Sequence, residues 1–66
     1  MHNRIKSEIY RYGFTITSAA AAIHISTAAL SKKILGQTPF TWEEVKALRK
    51  AIGSQLSVEE FMEEND

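Results

Sequence analysis

The chain has no cysteine, no long apolar run and no net charge. Without thiols there is neither a disulfide framework nor a thiolate metal site, so packing and helix caps, with or without a partner, must hold the fold together. That usage suits a reducing interior. The longest apolar run, Ala19 to Ile23, is far too short to cross a bilayer, and the N-terminus lacks the apolar stretch of a secretory signal. A soluble intracellular protein with no membrane contact is expected. Neither His2 nor His24 has a second histidine, a cysteine or a carboxylate at ligand spacing, and no serine or cysteine nucleophile accompanies them. No metal site, no cofactor and no enzymatic activity are therefore expected.

What is present is enough for one small globular domain over residues 1–66. The hydrophobic share of 44% and the charged share of 24% are ordinary for a folded protein, and 66 residues leave no room for a second core. The zero net charge conceals an asymmetry. Residues 1–36 hold Arg4, Lys6, Arg11, Lys32 and Lys33 against Glu8 alone, whereas residues 37–66 hold three basic and seven acidic side chains. Such segregation points to a basic face on the first half, the alternative being chance placement of solvated charges.

Local chemistry divides the chain into five helices. Gly13, Gly36 and Gly53 each follow a segment of helical periodicity, where a left-handed terminal residue is wanted. Thr41 with Glu44 and Ser57 with Glu60 fit the capping box, in which hydroxyl and carboxylate each satisfy an orphan backbone N–H. The pairs Phe40/Val45, Leu56/Phe61 and Ile25/Leu30 bracket the caps Thr41, Ser57 and Ser26 as hydrophobic staples. Between these signals apolar residues recur at three and four: Ile5, Ile9 and Tyr12; Leu30 and Ile34; Trp42, Val45, Leu48 and Ile52; Val58, Phe61 and Met62. The predicted spans are 3–12, 16–23, 27–35, 42–52 and 58–64. The second helix, centred on Ala19 to Ala22, starts from Thr15 or Thr17 as cap; a low-complexity linker is the alternative, against which Ile16 and Ile23 flank the alanines as a packed helix requires. Trp42, Phe14, Phe40 and Phe61 are expected in the core.

The most informative stretch runs from about residue 15 to 36. It contains an alanine-rich helix, the turn Ile23-His24-Ile25, the cap Ser26 and a second helix, which is the spacing of a helix-turn-helix. Two helices cross steeply at such a turn when the first presents small residues, and the alanines supply them. The residues Gly13-Phe14-Thr15, Ala20, Ile25-Ser26, Leu30-Ser31 and Gly36 resemble the Cro and lambda-repressor-like helix-turn-helix family. Lys33-Ile34 before Gly36, with Pro39-Phe40-Thr41 after it, is similar to small phage repressor-like proteins. The chain departs from the family pattern at Ile16, where a phosphate-holding glutamine is usual, and at His24, where glycine is usual. Histidine tolerates a left-handed conformation better than most residues.

The resemblance implies an all-α, compact five-helix domain that binds operator DNA as a homodimer in the cytoplasm of a bacterial host cell. By the family's pattern Ser26, Thr27, Ala28, Ser31 and Lys32 face base edges. Lysine donates to guanine O6 or N7, hydroxyls bond either base type, and an alanine methyl contacts a thymine methyl. Arg4, Lys6, Arg11, Thr17 and Lys33 are the phosphate candidates. Each of these also has the ordinary alternative of a solvated polar surface. Phe61 and Met62, on a short terminal helix, are candidates for a dimer or protein contact. A rival reading from a different class uses the same scaffold to grip a phage repressor protein instead of DNA, as an antirepressor does.

Overall fold

The computed structural model describes residues 2–63, and among these every regular element is helical. The helices are α1 (Asn3–Arg11), α2 (Ile16–Ala22), α3 (Thr27–Leu35), α4 (Trp42–Ile52) and α5 (Val58–Met62). Starts fall where the caps require. At Thr41 the Oγ1 accepts the Glu44 N–H at 3.1 Å while the Thr41 N–H donates to Glu44 Oε1 at 2.9 Å. Ser57 and Glu60 repeat that reciprocal pair. Of the two threonines available to start α2 the cap is Thr15, which closes a box with the Ser18 hydroxyl.

Four helix ends share one hydrogen-bond pattern. After α1, α3 and α4 a glycine sits at positive φ, its N–H bonded three residues back and the following N–H five residues back, as in Gly36 to Lys33 and Gln37 to Lys32. This is the Schellman arrangement, which satisfies carbonyls the last helical turn would leave orphaned. The fourth case is His24. At φ 62° it stands where glycine stands elsewhere, its N–H bonded to the Ala21 carbonyl and that of Ile25 to Ala20. Consequently α1 and α2 end one residue before the predicted spans, because Tyr12 and Ile23 already belong to the turns. Helix α5 stops at Met62, and residue 64 of its predicted span lies outside the described residues.

The core is built from one stripe of each helix: Ile5 and Ile9 of α1, Ala19 and Ala20 of α2, Leu30 and Ile34 of α3, Val45, Leu48 and Ile52 of α4, and Phe61 of α5. Helix α2 packs on α1, α3 and α4, with its most extensive contact on α3. Two alanines at this junction let three neighbours approach one short helix; larger side chains would overfill a core packed to crystal-like density. Fully buried leucine and isoleucine side chains such as Leu30 and Ile5 each contribute roughly 1.5–3 kcal/mol of transfer free energy. The chain start is pinned as well. The His2 N–H donates to the Ile34 carbonyl at 2.7 Å, and its ring meets Phe40 edge-on with centroids 5.3 Å apart.

A polar side-chain pair also reaches the interior. Glu8, almost wholly buried on α1, accepts a 2.7 Å hydrogen bond from the Ser54 hydroxyl in the turn between α4 and α5. Beside it the Tyr12 hydroxyl oxygen accepts the Gln55 N–H at 3.2 Å. These bonds attach α1 to the second half of the chain.

Two substitutions test the helix ends. Thr41→Ala removes a reciprocal cap and is expected to lower stability by about 1 kcal/mol in chemical denaturation. His24→Gly relieves a left-handed side chain and is expected to raise stability by about 1 kcal/mol, partly offset by the freer unfolded glycine. Unchanged denaturation midpoints would refute either assignment.

Candidate nucleic-acid interface

Helix α3 is held by its inner stripe and open on its outer one. Leu30 and Ile34 are buried, while Thr27, Ala28 and Lys32 are exposed and Ser31 is half-buried. Positions 27, 28, 31, 32 and 35 share one face at helical spacing. The sequence-expected base readers Thr27, Ala28, Ser31 and Lys32 are thus brought onto a single accessible face. Ser26 is exposed too, but its hydroxyl oxygen accepts the Ala29 N–H at 3.0 Å as the cap of α3. Its first duty is to start the helix.

The cations divide into two groups. Lys6, Arg11 and Lys32 are exposed. The Arg11 side chain, 72% exposed, lies 3.6 Å from the Glu8 carboxylate, a loose surface pair that leaves it accessible. The other group is engaged. Lys33, expected on phosphate, has its side chain only 15% exposed; its ammonium lies 3.0 Å from Glu44 Oε1 and donates to the Pro39 carbonyl at 3.1 Å. Arg4, also expected on phosphate, pairs with Glu63 at 3.1 Å. These two side chains join the basic half to the acidic half. Thr17 is exposed in the first turn of α2.

Glu44 therefore serves two elements. Its Oε1 accepts the Thr41 N–H that opens α4 and the Lys33 ammonium near the end of α3. The Thr41 N–H chiefly, and Lys33 after it, hold the carboxyl below the ordinary glutamate value against the opposing effect of burial.

Of the aromatic side chains expected in the core, Phe61 is there and Trp42 is not. Phe61 is fully buried, because α5 folds back on α1 and α4 and closes the core; it presents nothing to a partner. Met62 beside it is half-buried and packs against the same core. Trp42 was expected inside and is 54% exposed. It is the first residue of α4, at the edge of the apolar stripe, and helical side chains lean toward the N-terminus, which carries it past the packed turns.

Sequence reasoning missed three residues. Glu8 read as a lone charge, since its partner lies 46 positions away. Leu35 and Tyr10 are each about half exposed and line an apolar groove with Ile16 and Ile34. The signal for Leu35 was its place on the outer face of α3, eight residues after Thr27. Among the described residues no cluster of histidine or carboxylate could hold a metal ion, and no helix is long and apolar enough to cross a membrane.

Comparison of the chain with protein-family models, with curated proteins and with solved structures finds no match.

The state of Glu44 gives a pH dependence with a definite sign. A carboxyl whose pKa is lower folded than unfolded stabilises the fold above the ordinary glutamate range and loses that contribution as pH falls through the folded value. Thermal unfolding followed from neutral to acid pH is expected to show falling stability that Glu44→Gln flattens. An equal slope in the variant would refute it.

Proposed function

We propose that the domain is a sequence-specific DNA-binding regulator of the Cro or repressor type, with α2, the four-residue turn 23–26 and α3 acting as a helix-turn-helix. One observation carries this reading above the others. Glu8 is the sole carboxylate of residues 1–36, and folding withdraws it from the surface into its bond with Ser54. The outer surface of α1 to α3 keeps Lys6 and Lys32 exposed, with Arg11 in a loose 3.6 Å pair with the buried Glu8 and no exposed acidic side chain in residues 1–36. A zero-charge chain thereby acquires a cationic face suited to phosphates, which dominate non-specific affinity for DNA.

On that face α3 supplies the readers. Lys32 donates to guanine O6 or N7, Thr27 and Ser31 bond base edges, and the Ala28 methyl meets a thymine methyl. Arg11 and Lys6 take phosphates, as do the first N–H groups of α2 beside Thr17. The rival, a modulator that grips a repressor protein instead of DNA, draws on the apolar character of Leu35 and Tyr10. The two part in their salt response. A protein-gripping module would show weak DNA affinity that moderate salt abolishes.

The test compares two variants on specific and scrambled DNA at two salt concentrations. Lys32→Ala is expected to lose about 1–3 kcal/mol at one base-pair position and to relax specificity there. Arg11→Ala is expected to weaken all sequences alike and to flatten the salt slope by about one. Wild-type behaviour of Lys32→Ala on specific DNA would remove α3 as the reading helix.

A further inference from the structure

We propose that the groove between α1, α2 and α3 is a docking site for an amphipathic helix of a partner protein, an aliphatic or aromatic anchor flanked by carboxylates, and that this helix excludes DNA. The exclusion rests on the DNA reading above; the docking does not.

The groove has a volume of about 200 Å³ and is lined by Lys6, Tyr10, Ile16, Ser31, Ile34 and Leu35. Tyr10 and Leu35 are two of the three large hydrophobic side chains exposed among the described residues, at 52% and 48%, and here they share one concavity. An exposed apolar surface of this form marks an interaction site more often than scattered single residues do. A leucine- or phenylalanine-sized side chain fills such a space, which is how an amphipathic helix anchors in a groove.

Charge selects among the occupants. Lys6 lines the groove, Lys32 lies one turn before Leu35, Arg11 follows Tyr10, and the one carboxylate nearby in sequence, Glu8, is buried against Ser54. The surroundings are cationic, so the flanks of the occupant are acidic. A second copy docked groove to groove would bring Lys6 against Lys6. The chain's own acidic helix α5 commits Phe61 to its own core and has no free apolar stripe to insert. Exposed Trp42, flanked by Glu43 and Lys46 of opposite sign, is the one anchor a second copy offers, and dependence on protein concentration distinguishes that occupant. DNA fits the rim but not the interior, because a thymine methyl is too small to fill the groove and the sugar-phosphate edge is hydrated.

Overlap produces the exclusion. Ser31 lines the groove and also stands among the readers on α3, so a helix seated there covers it, and its carboxylates neutralise Lys6 and Lys32. One face then serves two ligands by turns.

The test uses two synthetic helical peptides with the same leucine and tryptophan stripe, one flanked by glutamates and the other by lysines. Titrated into the isotope-labelled full chain without DNA, the glutamate peptide is expected to shift the amides of Lys6, Tyr10, Ser31 and Leu35, and the lysine peptide to leave them unmoved. Tyr10→Ala is expected to weaken that binding at least about tenfold, as loss of an aromatic anchor does. It should leave DNA affinity unchanged while the peptide no longer displaces DNA. Lys6→Glu should reverse the preference between the peptides. Equal binding of both peptides, or no shift with either, would overturn the proposal. So would groove shifts that follow protein concentration alone, which would indicate a second copy, or shifts of Tyr10 and Ile16 produced by DNA alone. Peptide binding in a chain that binds no DNA would retain the docking site and overturn both the exclusion and the DNA reading.

Discussion

The contact that the rest of the structure depends on is the junction of Ala19 and Ala20 with the neighbouring helices. Both alanines are buried where α2 meets α1, α3 and α4. Their small size lets Leu30 and Ile34 reach the same core from α3, and that leaves the opposite face of α3 open to solvent. The turn that follows is set by the same helix. Ala20 and Ala21 supply the carbonyls that bond Ile25 and His24, so α2 both packs against α3 and directs the chain into it.

Charge is redistributed by folding. As a string of residues the first half is basic and the second acidic, which suggests two simple poles. The folded chain instead pairs Arg4 with Glu63 and Lys33 with Glu44, joining the halves, and buries Glu8 against Ser54. What remains outside on α1 to α3 is a smaller set of cations, Lys6 and Lys32 exposed and Arg11 only loosely held 3.6 Å from the buried Glu8. A face without acidic neighbours attracts phosphate or carboxylate more effectively than a larger set of lysines and arginines already in pairs. The same redistribution leaves Tyr10 and Leu35 as apolar surface within a cationic surround.

A chain this short has little interior to draw on, and its stability leans on its ends and turns. Reciprocal caps open α2, α4 and α5, and bonded left-handed residues close α1 to α4. Each contribution is of order 1 kcal/mol, comparable to a large fraction of what a domain of this size retains in total. Using Glu44 both as a cap and as the partner of Lys33 makes one side chain hold α4 at its start and α3 near its end.

The helix starts and stops were legible because their chemistry is local. Thr41 finds Glu44, and Ser57 finds Glu60, three residues away whatever the rest of the chain does. The sequence likewise determined that α3 would carry Thr27, Ala28, Ser31 and Lys32 at one helical spacing. Tertiary structure decided which side chains remain available. Lys32 and Lys33 are neighbours in sequence, yet one is exposed and the other lies against Glu44, because a helix turns by about 100° per residue and a facing element is present on one side only. Phe61 and Trp42 both read as core aromatics; packing of α5 on α1 and α4 buried the first, while the second, at the very start of α4, is left in solvent. Glu8 bonds Ser54, and Tyr10 and Leu35 line one groove, across long stretches of chain, and no periodicity of three or four can announce an arrangement that depends on where other helices come to rest.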